Sequence, residues 1–274
     1  MKPRVFLFFC VILLLNLQFV SGCAPESAAR EFDEAEGLLA EGRYTEAAGM
    51  YMAVFKGYPK SPYAPKSLFK LGLVHATHLN NPERAIEFFG ELSSFYPESN
   101  LAVTAIKEKA RAYSELGAHG KAIEEYERLI EKSPHEKDYT RYLISLEYIK
   151  LSDFERARTG LNDVLTSSPN TRLKPEIYYQ IASIYYLEGK AEAAFEWYSH
   201  FLENYPDHQL SGNAKLARAL SLEEAGRLKE ALVMFKALLA EDPEAPSLKV
   251  KVEAINKRLA MAPSTKERAR KKGF

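Results

Sequence analysis

Few residues of this 274-residue chain have the types and spacings that could support chemistry. The strongest candidate is Cys23, one of only two cysteines, which follows the small residues Ser21 and Gly22 where an apolar run ends. His75 and His78 lie three positions apart, so a helix would place them on one face, where they could bind a metal ion. No carboxylate or further histidine is placed to complete such a site, and we interpret His75 as a packed core residue.

Acidic residues that lie together are adjacent in sequence rather than spaced for one helix face. Examples are Glu124–Glu125 and Glu223–Glu224. Neighbours on a helix point about 100° apart, so we expect these carboxylates to be solvated charges. Glycine patterns that bind phosphates or dinucleotides are absent from the sequence. We therefore predict that the protein is not an enzyme and binds no metal and no cofactor.

The first 22 residues have the organisation of a secretory signal peptide. Lys2 and Arg4 precede an unbroken apolar segment at residues 5–15, and small residues lie before a cleavage point. A membrane-spanning helix usually needs about 20 apolar residues, whereas Asn16 interrupts this run earlier. A short uncleaved anchor is the alternative interpretation.

The residues that end this segment, Val20–Ser21–Gly22–Cys23, resemble the bacterial lipoprotein cleavage motif. The resemblance implies cleavage before Cys23, diacylglycerol on its sulfur and a further acyl chain on its new amino group. Because Ala24 rather than Asp follows, it also implies a position at the outer membrane, facing the periplasm. Each buried CH₂ contributes about 0.8 kcal/mol, so two or three acyl chains would hold the protein there. The alternative is an ordinary signal peptide with an incidental cysteine.

Charge excludes one class of partner. The chain carries 37 basic and 37 acidic residues, and removal of residues 1–22 would leave a slight acidic excess. A nucleic-acid binder would be expected to show a basic stripe. We therefore predict no nucleic-acid partner. Because no catalytic constellation is found, we also predict no small-molecule substrate.

Most of the chain repeats with a period of 35 to 38 residues, which is marked by an alanine followed twelve residues later by a proline. The alanines are Ala47, Ala85, Ala122, Ala157, Ala194 and Ala231, and the prolines are Pro59, Pro97, Pro134, Pro169, Pro206 and Pro243. Large apolar residues follow each alanine at spacings of four and then three, so they share one helix face. A turn residue, glycine in four copies, precedes most of the alanines by five positions. Each copy therefore predicts two helices joined by a tight turn and ended by proline.

This pattern resembles the tetratricopeptide repeat (TPR) family, whose unit is 34 residues. The small residue that the family uses in its first helix is matched by Ala35, Gly72, Ala110, Ser145, Ala182 and Ala219. The resemblance implies an all-α, right-handed solenoid of six helix pairs plus a capping helix at Ser247–Met261, together spanning residues 31–262. We expect a lipidated linker at residues 23–30 and a charged, disordered tail at residues 263–274.

The resemblance also assigns a groove, which the first helix of each pair lines in this family. The positions carried over include Phe32, Phe69, Lys107, Arg111, Tyr139, Tyr142, Tyr179 and Tyr186. Aromatic residues and Arg are enriched at binding hot spots, and the four tyrosines would form an aromatic ladder. Alternatively, some of these rings only pack between helices. We expect the groove to bind a peptide segment of another envelope protein or an outer-membrane barrel protein.

Further residues resemble particular TPR proteins of bacterial envelopes. Tyr58–Pro59, Tyr96–Pro97 and Tyr205–Pro206 end three of the repeats, and the first continues as YPKSPYAPKS. With the lipid cysteine and short linker, this resembles the BamD (YfiO) lipoproteins of outer-membrane protein assembly. The same segment also resembles the YbgF (CpoB) proteins, which work with Tol–Pal. These resemblances imply a lipid-anchored scaffold in barrel assembly or, alternatively, a Tol–Pal or peptidoglycan-linked factor.

Overall fold

The computed structural model describes residues 26–261, and all regular elements within this range are helices. They are α1 (residues 26–40), α2 (Tyr44–Gly57), α3 (Tyr63–Thr77), α4 (Pro82–Phe95), α5 (Ala102–Glu115), α6 (His119–Lys132), α7 (Lys137–Lys150), α8 (Phe154–Ser167), α9 (Lys174–Leu187), α10 (Ala191–Asn204), α11 (Ser211–Glu224), α12 (Leu228–Glu241) and α13 (Pro246–Met261). A short 3₁₀ helix, Pro134–Glu136, precedes α7. The predicted all-α class is therefore confirmed. Cys23, the signal segment and the charged tail lie outside the described residues.

Two compact units divide the chain. Unit 1 ends at Leu151 and contains α1–α7, and unit 2 begins at Ser152 and contains α8–α13. From α2 onward within each unit, every helix packs against the next one along the chain, as expected for stacked repeats. The boundary falls in the turn between α7 and α8, inside the fourth copy of the sequence repeat. No described helix is both long and apolar enough to cross a lipid bilayer.

The turns inside the pairs lie at the positions that the repeat predicts. Gly42, Gly117, Gly189 and Gly226 have φ between +72° and +76°, and Asn80 and Ser152 have φ of +47° and +58°. At Gly42 the backbone N–H groups of Gly42 and Arg43 donate to the carbonyls of Leu39 and Leu38, 3.1 and 2.9 Å away. This pair of hydrogen bonds ends the helix and reverses the chain. Glycine is favoured at this position because φ is positive.

Proline ends the second helix of each pair, as predicted. In unit 1, α2 ends at Gly57 before Pro59, and α4 ends at Phe95 before Pro97. In unit 2 the same spacing separates the ends of α8, α10 and α12 from Pro169, Pro206 and Pro243. The residue before a proline disfavours the helical region, which stops each helix there.

Small residues occupy the helix crossings. All six repeat alanines are fully buried, and so are Ala35, Ala110, Ala182 and Ala219 from the first helices. In unit 1, α3 and α4 are in close contact at Gly72, where an added Cβ would lie 2.4 Å from the ring of Phe89 on α4. The small side chains let neighbouring helices approach, and the larger residues next to them fill the core.

Each unit has its own apolar core. In unit 1, Tyr51, Leu68, Phe89 and Leu92 are among the fully buried side chains. In unit 2, one cluster surrounds Tyr198 and Phe201, and a second surrounds Phe235. Helix α13 covers the second cluster: Ile255 is fully buried, and Leu248, Val252 and Leu259 pack against it. These four residues form the stripe expected of the capping helix.

The ends of two elements differ from the sequence prediction. Residues 26–30, which were expected to belong to the linker, are helical, and Ala28 is fully buried. The predicted linker therefore extends too far into α1. The additional turn of α1 is stabilised by the burial of Ala28. The capping helix starts at Pro246, one residue earlier than predicted, since proline fits the first turn of a helix.

Candidate protein-binding surfaces

The predicted groove residues belong to both units: six lie in unit 1, and Tyr179 and Tyr186 lie in unit 2. In unit 1, Lys107 and Arg111 lie on α5, and Tyr139 lies on α7. The Lys107 ammonium is 5.0 Å from the Tyr139 ring centroid and 3.0 Å from a carboxylate oxygen of Glu136. The Tyr139 side chain is exposed, and so is that of Arg111. Helices α5 and α7 therefore present an accessible aromatic ring beside the ammonium of Lys107, and α5 also carries the exposed Arg111.

Other predicted groove residues of unit 1 pack inside the unit. Phe32 is only 9% exposed, and its ring centroid lies 5.5 Å from Tyr51 and 5.3 Å from Tyr63. Tyr142 is also 9% exposed. Phe69 is half-buried with its ring centroid 5.8 Å from that of Phe89. These three rings contribute mainly to packing between helices, which is the alternative to a role in the groove.

In unit 2, Tyr179 and Tyr186 both lie on α9 and are half-buried. The Tyr179 ring is 5.6 Å from Tyr198 and 6.1 Å from Phe201 in edge-on contacts. Burial raises the pKa of Tyr198 to about 12, so this phenol stays protonated and its hydroxyl pairs with Ser183 Oγ at 2.9 Å. The edges of Tyr179 and Tyr186 extend this aromatic cluster towards the surface of unit 2.

The two histidines singled out from the sequence have separate aromatic partners. His75 lies 5.2 Å from Phe88, and burial lowers its pKa. His78 stacks on Tyr44, with ring centroids 4.0 Å apart and nearly parallel planes. Among residues 26–261, no group of three or more His, Cys, Asp or Glu side chains is placed to hold a metal ion.

A buried carboxylate in unit 1 escaped the sequence analysis. Glu147 on α7 has only 4% of its side chain exposed. It accepts hydrogen bonds from Ser114 Oγ at 2.8 Å and Lys150 Nζ at 2.9 Å, and His119 Nδ1 lies 2.8 Å away. These partners come from α5, α6 and α7, so one side chain joins three helices. The only sequence signal is a single acid within the otherwise apolar and aromatic segment around it.

An aromatic pocket in unit 2 was also missed. Tyr178 on α9 and Glu196, Trp197 and His200 on α10 line an open cavity of about 410 Å³. Trp197 is the chain's single tryptophan, and that rarity was the available signal. The repeat pattern concerns the helix crossings, so it predicts nothing about the side chains beside them.

These features define the class of this molecule as an α-helical repeat protein whose exposed side chains are suited to bind other proteins. Family models for the tetratricopeptide repeat match residues 32–99, 107–170 and 175–208, more than half of the chain. The chain belongs to the tetratricopeptide repeat family. Comparison with curated proteins finds no match.

Several solved structures share the fold. A tetratricopeptide repeat protein from Parabacteroides merdae is 17% identical with a TM-score of 0.64, over 86% of this chain and 88% of that one. PilW, a type IV pilus biogenesis factor, is 15% identical with a TM-score of 0.58, over 82% and 97%. PilF of Pseudomonas aeruginosa is 13% identical with a TM-score of 0.55, over 86% and 99%. At these identities the similarity shows the fold alone.

Proposed function

We propose that this protein is a lipid-anchored scaffold that faces the periplasm and binds segments of other envelope proteins. The observation that carries the proposal is the surface of α5 and α7 in unit 1. There, the exposed Tyr139 and Arg111 accompany Lys107, whose charge lies over the tyrosine ring. Exposed Tyr and Arg side chains are the types that anchor protein partners, and TPR proteins commonly form such scaffolds.

The anchor in this proposal is the acylated Cys23. Its support is the lipoprotein-like sequence Val20–Ser21–Gly22–Cys23 after an apolar segment. Helix α1 is described from residue 26, three positions after Cys23. Three residues span at most about 10 Å. An acylated Cys23 would therefore hold the start of α1 close to the bilayer surface.

Within this class, we propose a role like that of BamD in outer-membrane protein assembly. Its support is the combination of the lipid cysteine and the Tyr–Pro repeat ends. A role like that of YbgF (CpoB) with Tol–Pal or peptidoglycan is the alternative. A third candidate is pilus biogenesis, and its support is limited to the fold that this chain shares with PilW, a type IV pilus biogenesis factor, over 97% of that protein.

Photo-crosslinking in the native envelope tests these proposals. A photoreactive phenylalanine analogue at position 139 should capture a defined envelope protein. The same probe at position 233 on α12, where Val233 is 68% exposed, serves as the control. Identification of barrel-assembly, Tol–Pal or pilus components distinguishes the three roles. Equal capture at both positions would contradict binding through the α5–α7 surface.

A further inference from the structure

The aromatic pocket of unit 2 combines three tilted rings with one carboxylate. The Tyr178 and Trp197 ring centroids are 5.6 Å apart with planes at 77°. His200 lies 5.2 Å from Tyr178 and 6.3 Å from Trp197, at 56° and 62°. Because the centroids are this close, one ligand group can contact all three rings. The fourth lining residue, Glu196, adds a negative charge to this aromatic wall.

Two rings, one in the pocket and one beside it, already contact cations of the chain itself. Lys174 Nζ lies 5.9 Å from the Tyr178 centroid. Tyr185, whose ring stacks on Trp197 at 6.4 Å, has the Arg158 guanidinium 5.6 Å from its centroid. A cation within about 6 Å of an aromatic centroid is attracted by the electrons of the ring. These contacts show that the cluster favours positive charge.

Trp197 and Glu196 are left without a cation of their own. Among residues 26–261, no lysine or arginine lies over the Trp197 ring, and Glu196 has no ion pair. An incoming cation therefore meets the best aromatic acceptor and a carboxylate in the same open pocket, and no cation of the chain has to be displaced from either Trp197 or Glu196.

We propose that this pocket binds the arginine side chain of a protein partner, with the guanidinium over Trp197 and paired with Glu196. The proposal deepens the scaffold function and rests on it. A guanidinium is planar, weakly hydrated and able to donate two hydrogen bonds to one carboxylate while stacking on a ring. A lysine ammonium is more strongly hydrated, and a quaternary ammonium has no hydrogen to donate to Glu196.

The single tryptophan makes the test direct, because fluorescence of the intact protein reports on this pocket. Titration with N-acetyl-arginine amide should change Trp197 emission in a saturable way. N-acetyl-citrulline amide has nearly the same shape without the charge, and we expect it to bind at least about fivefold more weakly. Equal responses to the two compounds would overturn the proposal, as would tighter binding of tetramethylammonium than of the arginine amide.

Variants on α10 provide a second test of arginine binding. Glu196→Gln removes the carboxylate charge and should weaken binding of the arginine amide by about fivefold. Glu203 is exposed on the same helix but does not line the pocket, so the Glu203→Gln variant should bind like the parent protein. Unchanged affinity in Glu196→Gln would overturn the proposal. Failure here would leave crosslinking at Tyr139 unaffected, so the two proposals fail separately.

Discussion

At single positions, the absence of a side chain can matter as much as its presence. Gly72 on α3 lies against the ring of Phe89, which is 1% exposed. A Cβ would come within 2.4 to 2.7 Å of three ring atoms, and a buried ring has little room to move. At this crossing the small residue of the TPR first helix is glycine, because the ring of Phe89 occupies the space that a Cβ would need.

Gly72→Ala should lower the free energy of unfolding. Overpacking of this kind costs roughly 1–3 kcal/mol, offset by about 1 kcal/mol of helix propensity. Gly49→Ala on α2 is the matched control, because nothing lies within 4 Å of its added Cβ, and it should stabilise by about 1 kcal/mol. Urea unfolding measures both variants. Equal stabilisation by the two substitutions would refute the close contact at Gly72.

Burial of a phenol predicts a pH dependence at alkaline pH. The pKa of Tyr198 is about 12 in the fold against about 10 in an unfolded chain. The unfolded state therefore loses this proton first, and stability that is complete below pH 10 falls as the pH rises towards 12. The contribution of this residue is about 3 kcal/mol.

Tyr198→Phe removes this titration. At neutral pH the variant should be about 1 kcal/mol less stable, because the hydrogen bond to Ser183 is lost. Between pH 10 and 12 the parent protein should lose stability more steeply than the variant, as measured by urea unfolding at each pH. Between pH 7 and 9 the two curves should run parallel. Parallel curves throughout would contradict a raised pKa at Tyr198.

Among the helices, Glu147 shows how elements are joined by side chains remote in sequence. Its carboxylate contacts Ser114 at the end of α5 and His119 at the start of α6. A buried carboxylate without partners would be costly, so the hydrogen bonds specify how α7 is placed on the preceding pair. Lys150, one turn further along α7, completes the set.

Glu147→Ala should destabilise unit 1 by about 1–3 kcal/mol, since three polar partners lose their acceptor. Glu147→Gln keeps the size and part of the hydrogen bonding, so its loss should be smaller. Glu124→Ala on the exposed face of α6 is the control and should change stability by no more than about 0.5 kcal/mol. Thermal or urea unfolding measures the loss of stability in each of the three variants. A cost at Glu147 no larger than that at Glu124 would contradict a joining role.

For the chain as a whole, the proposed tether determines where the binding surfaces act. Cys23→Ala should abolish incorporation of radiolabelled palmitate and move the protein from the membrane fraction to the soluble fraction. The reason is that acyl chains, rather than any described helix, would supply the membrane affinity. Mass spectrometry of the mature amino terminus is the control for cleavage. An unmodified Cys23 in the mature protein would contradict the anchor.

Much of the fold could be predicted from the sequence because its signals are local. The alanine–proline period and the glycines with positive φ are each contained within one helix pair. The apolar stripe that ends at Leu259 is contained within the capping helix. Backbone sterics and helix periodicity require particular residue types at these positions. The same signals predicted the beginning of the capping helix within one residue.

The binding surfaces depended on contacts between residues far apart in sequence. Family position marked Tyr139 and Tyr142 alike, but only the packed structure exposes the first and buries the second. Glu147 accepts a hydrogen bond from Ser114, which lies 33 residues away in the sequence. The pocket of unit 2 brings together Tyr178 and Trp197, which lie on different helices. A repeat pattern specifies that helices stack, because stacking buries their apolar faces. Which polar and aromatic side chains meet or stay accessible follows from how the neighbouring helices pack in three dimensions.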